Sequence, residues 1–449
     1  MSFLVHRKKF YYTFFSLTLA IAMQNIIVYL VNTADSVMVG RYSEDALSGV
    51  ALVNQIQFLL QMMITGVVEG ALIFGARFWG QCKINKVKHI SAISVKCAIG
   101  VSMVLFAVCL SMPTGVLSIL SNDKDVIHQG VIYLRIMVFT YPVFALTQSL
   151  LSMLRSVETI MIGFFGSVFA LIFNVCLNYV MIYGKLGCPS MGVKGAAIAT
   201  LISRILECLI VCVYVFGIDK KIKLKIHELL PFDRELFKTY FKTGAPVFFS
   251  GVLWGLAQML QTAILGHTTK AAIAANSIAS TVFSIVTVVT YASATATSVM
   301  ICKMIGEGRT KHMRVYTRTF QIMFLLIGVV TGALLFVLRN PINLIYNVSP
   351  SATKLSNQFM TILAITVIGT AYQNATHVGI VRAGGDTGFV FKVDTIFMWC
   401  FVLPLSFLSY YVFGWSIPVT FICLKCDQIL KCFIAFWKVN YGNWMKIKN

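Results

Sequence analysis

Charge is what this sequence has least of. Only 12% of its 449 residues are Asp, Glu, Lys or Arg, about half the share of an ordinary soluble domain. With 58% hydrophobic residues and a mean hydropathy of +0.82, that shortage excludes a water-soluble globular protein. Absent motifs exclude more. There is no P-loop GxxxxGK[ST], which argues against direct ATP coupling, and no HExxH or GxSxG, so no enzyme and no cofactor are expected. The twelve cysteines show no Cys/His zinc spacing, and their one CxxC, Cys423-Leu-Lys-Cys426, lies inside an apolar run. They are scattered through apolar segments as small packing residues.

The apolar runs are about 20 residues long and lack strict alternation, so they read as membrane-spanning helices rather than barrel strands. Arg7, Lys8 and Lys9 precede the first run and mimic a signal peptide. The run continues into Gln24, Asn25, Asn32 and Asp35 without a small-residue cleavage site, so it reads as a retained first span. Twelve spans are expected, near 12–38, 46–72, 91–113, 130–153, 160–183, 195–217, 242–265, 272–300, 317–338, 357–380, 388–412 and 415–437. The net charge of +21 does not point to nucleic acid, because the basic residues concentrate in alternate loops. Both termini cytoplasmic in a plasma membrane is the topology this bias predicts.

The longest basic loop divides the chain into residues 1–217, a linker 218–241, and residues 242–449. The halves repeat. Gly40 matches Gly266, and Arg77-Phe-Trp-Gly80 matches Lys303-Met-Ile-Gly306, both displaced by 226 residues. Six spans per half make the repeats parallel, related by a pseudo-two-fold axis along the membrane normal. The expected fold is thus an all-α polytopic membrane protein of two six-helix lobes, with a transport path between them.

One acid stands deep in the first run, Asp35. A carboxylate there costs roughly 2.5–3.5 kcal/mol even on forgiving insertion scales. Asn174 and Asn178, four residues apart on the fifth span, lie about 40° from each other around a helix and can aim both amides at one spot. An acid with two amides suggests a cation site.

The stretch Asp35-Ser-Val-Met-Val-Gly40 resembles the first-span signature of multidrug and toxic compound extrusion (MATE) transporters. So does the run Asn174-Val-Cys-Leu-Asn178-Tyr, Ile182-Tyr-Gly184, Gly187, Pro189 and Gly192-Val-Lys-Gly195-Ala-Ala-Ile-Ala-Thr200. Gly244-Ala-Pro246, Leu253-Trp254-Gly255 and Arg382-Ala-Gly-Gly-Asp386-Thr387 are similar in the second half. The resemblance implies antiport of organic cations or amphipathic drugs against H+ or Na+. It also implies a coupling site at Asp35, Asn174, Asn178 and Thr200. One carboxylate, two amides and a hydroxyl offer the hard oxygen donors sodium prefers, and the same set can carry a proton. No other metal site and no nucleic-acid partner are expected, and the chain has enough spans to work as a monomer in membrane lipid.

The second half departs from the pattern. Many relatives carry a glutamate in span seven after the proline; here Gly251 stands there. The repeat equivalent of Asp35 is Gln261, also neutral. Asp394 and His377 remain as candidates for a second-lobe role. Glu69, Gln57, Gln61, Trp254, Gln258, Tyr291 and Tyr372 are candidate cavity residues. Arg204 with Glu207, and Asp427 with Lys431, are spaced to pair along a helix, and Lys425 and Lys431 read as snorkelling. Two other functions fit the same architecture: a flippase for a lipid-linked saccharide, and an exporter dedicated to one native metabolite.

Overall fold

The computed structural model describes residues 4–120, 123–185, 187–266, 268–310, 313–345 and 349–446. These residues form helices and no named strand. Among the described residues ten helices are long and apolar enough to cross a membrane, and a bent pair taken as one span makes an eleventh. The chain divides into two compact units, Met23–Gly251 and Met1–Ala22 with Val252–Asn449.

The helices of the first half are α1 (Lys8–Gly40), α2 (Glu44–Gly80), α3 (Ile84–Ser111), the short α4 (Pro113–Ser118), α5 (Lys124–Met137), α6 (Thr140–Ser156), α7 (Met161–Tyr183) and α8 (Gly192–Val213). Those of the second are α9 (Arg234–Gly266), α10 (Lys270–Val286), α11 (Val288–Gly306), α12 (Met313–Ile345), α13 (Pro350–Asn374), α14 (Thr387–Thr395), α15 (Leu403–Phe407), α16 (Ile417–Lys425) and α17 (Asp427–Asn440). π-Helical turns continue α13 over Ala375–Arg382 and α14 over Ile396–Val402. The repeat read from sequence extends to the helix ends: α1 and α9 are displaced by 226 residues at both termini, and so are α2 and the α10–α11 pair.

Two expected spans are broken. The fourth is α5 and α6, bent by 51°. Pro142 lies three residues into α6, where it supplies no backbone N–H and its ring crowds the preceding turn. The twelfth is α16 and α17, which part at Cys426. The unit boundaries fall inside α1 and α9. The start of α1 packs with the second unit, where Phe10 meets Tyr316 and Phe320 at ring-centroid distances of 5.4 and 5.0 Å. The start of α9 packs with the first, where the Tyr240 hydroxyl donates to the Val67 carbonyl at 3.0 Å.

Local chemistry sets the ends that matter for the site. The Asp123 carboxylate caps α5 by accepting from the Asp125 and Val126 amides at 2.9 and 3.3 Å. Gly184 closes α7 in the left-handed region at φ +66, and a Cβ there would meet the Ser190 nitrogen at 2.7 Å. The chain can therefore turn tightly from α7 into α8.

Candidate functional site

The α7–α8 hairpin is built for close approach. Ala196, Ala197 and Ala199 are fully buried, and a Cβ on Gly195 would fall 2.6 Å from the Met181 carbonyl oxygen. Small residues let two helices pack backbone to backbone where lipid offers no hydrophobic drive. That approach carries Thr200 on α8 to Asn174 and Asn178 on α7, and α1 brings Asp35 to the same point.

Asp35 is 5% exposed, and both asparagines are fully enclosed. Asn178 Nδ2 donates to Asp35 Oδ1 and, at 3.1 Å, to Asn174 Oδ1. Asn174 Nδ2 donates to Thr200 Oγ1 at 3.4 Å. The Thr200 hydroxyl has acceptors in Asp35 Oδ2 at 3.2 Å and the Ala196 carbonyl at 3.0 Å. Its single proton serves one of them at a time. Asn178 Oδ1 is buried and accepts no hydrogen bond. An enclosed amide oxygen without a donor costs free energy unless a cation or water reaches it. All four residues read from sequence as one site are thus in mutual contact.

Sequence reading placed Arg204 with Glu207 as a structural pair, and the contact is present: Arg204 Nη1 lies 3.0 Å from Glu207 Oε2, and Ser167 Oγ donates to Glu207 Oε1 at 2.8 Å. Sequence gave no sign that the pair shares a narrow cleft with Asn174 and Thr200, walled by Ile27, Val28 and Val31. The helical spacing of Thr200, Arg204 and Glu207 on one face of α8 is the signal that could have found it.

The second half arranges its candidates differently. Asp394 is half-buried, and the neighbouring Lys392 is exposed. Asp394 lies 3.1 Å from Lys431 Nζ and 3.6 Å from Arg382 Nη2, while Lys431 also reaches Asp427 at 3.0 Å. Lys431 therefore bridges two acids instead of snorkelling. His377 is 1% exposed, with neither ring nitrogen hydrogen-bonded. Gln261 is buried and accepts from Lys425 Nζ at 3.1 Å, so Lys425 does not snorkel either. Tyr372 is buried with its hydroxyl on Gln321 Oε1 at 2.6 Å. Trp254 and Gln258 are half-buried on α9, and Tyr291 is exposed on α11. In the first half, Gln57, Gln61 and Glu69 are half-buried along α2, and Gln57 Oε1 is enclosed without a donor.

Comparison with known proteins places this chain in a family. The MatE family model matches residues 20–180 and 246–408. The probable multidrug resistance protein NorM of Thermotoga maritima is 24% identical over 425 residues, covering 94% of this chain and 90% of that one. The multidrug resistance protein MdtK of Pectobacterium atrosepticum is 24% identical over 404 residues, 87% of this chain and 86% of its own. Among solved structures, the eukaryotic MATE transporter AtDTX14 superposes with a TM-score of 0.86 at 18% identity, covering 97% of this chain and 96% of that one. A MOP superfamily transporter from Pyrococcus furiosus superposes at 0.84 with 16% identity, covering 95% and 94%. The structural likeness carries the twelve-span fold, and the family match covers most of both halves. The chain therefore belongs to the MatE family and is a multi-pass membrane transporter, not an enzyme.

Proposed function

We propose that this transporter is a secondary-active antiporter that exports organic cations or amphipathic drugs in exchange for H+ or Na+. Alternating access between its two halves would move the load. The observation that carries the reading is Asp35. It is a buried carboxylate whose hydrogen-bond partners, Asn178 and Thr200, are neutral. Among the described residues no cationic side chain is bonded to it, since the nearby Arg204 is paired with Glu207 at 3.0 Å, and the unpaired Asn178 Oδ1 beside it supplies a further oxygen donor. The multidrug-resistance names of the NorM and MdtK relatives support the substrate class.

The energy is adequate. A tenfold ion gradient is worth about 1.4 kcal/mol, and each charge moving inward gains about 2.3 kcal/mol per 100 mV. Loading Asp35 from outside neutralises the corner between α1, α7 and α8 and lets those helices repack. That repacking shrinks the room for substrate in the first half and expels it. The protein works in the plasma membrane as a monomer with both termini cytoplasmic.

Ethidium efflux from pump-deficient bacteria tests the reading, with sodium and pH varied separately and Asp35→Asn compared at equal membrane abundance. Efflux that requires one ion gradient and disappears in Asp35→Asn is the expected result and identifies the ion. Efflux that survives Asp35→Asn, or ignores both gradients, overturns it.

A further inference from the structure

The repeat invites a comparison of equivalent corners. Asp35 on α1 is displaced by 226 residues from Gln261 on α9, within helices whose ends are displaced by the same 226. Thr200 on α8 falls within one residue of the equivalent of Lys425 on α16. The contact is repeated as well. In the first half Thr200 Oγ1 reaches Asp35 Oδ2 at 3.2 Å, and in the second Lys425 Nζ reaches Gln261 Oε1 at 3.1 Å. The chemistry is inverted. One corner is a carboxylate among neutral oxygens; the other is a neutral amide holding an ammonium.

The rest of the second corner suits a resident cation. Gln261 Nε2 is turned to Met398 Sδ at 3.2 Å, which leaves its carbonyl oxygen for Lys425. The face of Phe421 lies 5.9 Å from the ammonium, within the range of cation–π attraction. Asp427 lies within electrostatic reach of Lys425 but is engaged by Lys431 at 3.0 Å. Asp394 shares the same lysine and Arg382. A lysine ammonium has three donors and no lone pair. It cannot ligate a cation, and at hydrogen-bond distance in a poorly screened interior it repels one strongly.

We propose that Lys425 is a tethered cation: its ammonium occupies the second-half corner that a coupling ion takes in the first half, so that each cycle carries one ion, through Asp35. This rests on the antiport reading above. One inward monovalent ion against one outward monovalent organic cation moves no net charge.

The test uses the full-length protein in proteoliposomes, with tetraethylammonium, a monovalent cation that bare lipid passes poorly, as the load, protein-free liposomes as the blank, and the membrane potential clamped by potassium and valinomycin. The expected steady-state accumulation follows the chemical gradient of the coupling ion and does not change with voltage, in the wild type and in Lys425→Arg. Accumulation that shifts tenfold for each 59 mV or so requires a second inward charge and overturns the proposal. The double variant Gln261→Asp/Lys425→Thr removes the ammonium and installs the carboxylate and hydroxyl of the first-half corner, and it is expected to acquire that voltage dependence. Transport by the double variant that stays voltage-independent also overturns the proposal. Failure of the antiport reading looks different: accumulation would then ignore the ion gradient or survive Asp35→Asn.

Discussion

Asn178 and Asn174 are not equivalent partners of Asp35. Asn178 donates to the carboxylate, whereas the Asn174 amide is turned to Thr200 Oγ1 and its oxygen to Asn178, so its interaction with Asp35 is the weaker one. A hydrogen bond to a charged group is worth about 1.5–3 kcal/mol. In a proton-coupled cycle Asn178→Ala is therefore expected to lower the proton concentration for half-maximal transport by ~10- to 100-fold, because the lost donor favoured the unprotonated carboxylate, and Asn174→Ala by less. Both should approach wild-type flux at saturating ion. Initial-rate transport against ion concentration checks this, and equal effects of the two variants would contradict the geometry. These residues were legible in the sequence because an acid and two amides stand out against apolar neighbours. Lys425 was not. A lysine near a helix end has an inexpensive default in snorkelling, and only the approach of α9 to α16 reveals that its ammonium turns inward to Gln261.

At the scale of helices, the run Gly192 to Thr200 has a mechanical meaning that its motif alone does not disclose. Gly195 lets α8 lie against the Met181 carbonyl, and a Cβ would stand 2.6 Å from that oxygen. Gly195→Ala is expected to cost about 1–3 kcal/mol through overpacking and to weaken ion dependence by displacing Thr200. Thermal unfolding in detergent, paired with the ion titration, separates the two effects. The tail following α17 has its own attachment. Met445 bridges Gly385, Lys446 N donates to the Gly384 carbonyl at 3.0 Å, and Asp386 meets Lys438 and Lys446 at 2.7 and 2.8 Å. Burial raises the Asp386 carboxyl, but the two lysines outweigh it and hold the group below the usual carboxylate range. A lowered folded value stabilises fully above the unfolded value of about 3.9 and ceases to do so as pH falls through the folded one. Asp386→Asn should lower stability by ~3 kcal/mol at pH 7, and the gap to wild type should close below about pH 4. Melting curves across pH check this. The sequence announced long helices well, since hydropathy fixes them. It missed the breaks at Pro142 and Cys426 because a short interruption leaves mean hydropathy almost unchanged.

For the molecule as a whole, orientation rests on charge outside the helices. Cys82 lies between α2 and α3 among Lys83, Lys86 and Lys88, in a loop that the basic-residue bias assigns to the cytoplasm. Cys188 lies between α7 and α8, in a loop assigned to the outside. Both are exposed, and an odd number of spans separates them, so they report opposite faces of the membrane. The other exposed cysteines, Cys176 and Cys400, fall within apolar spans, where a charged reagent in water has little access. A membrane-impermeant maleimide applied to intact cells is expected to label Cys188 and to spare Cys82 until the membrane is permeabilised. Cys188→Ser should remove the external signal, and Cys82→Ser the signal gained on permeabilisation. The reverse pattern would put the termini outside. It would then place the start of α1 and the long connection between α8 and α9, with its Lys220, Lys221, Lys223 and Lys225, on the face where positive charge is disfavoured. Because an even number of spans in each half gives the two repeats the same direction, this single pair of cysteines fixes the orientation of both. It also decides whether Asp35, near the end of α1 away from the basic N-terminus, lies toward the outside, as the proposed inward ion flow requires.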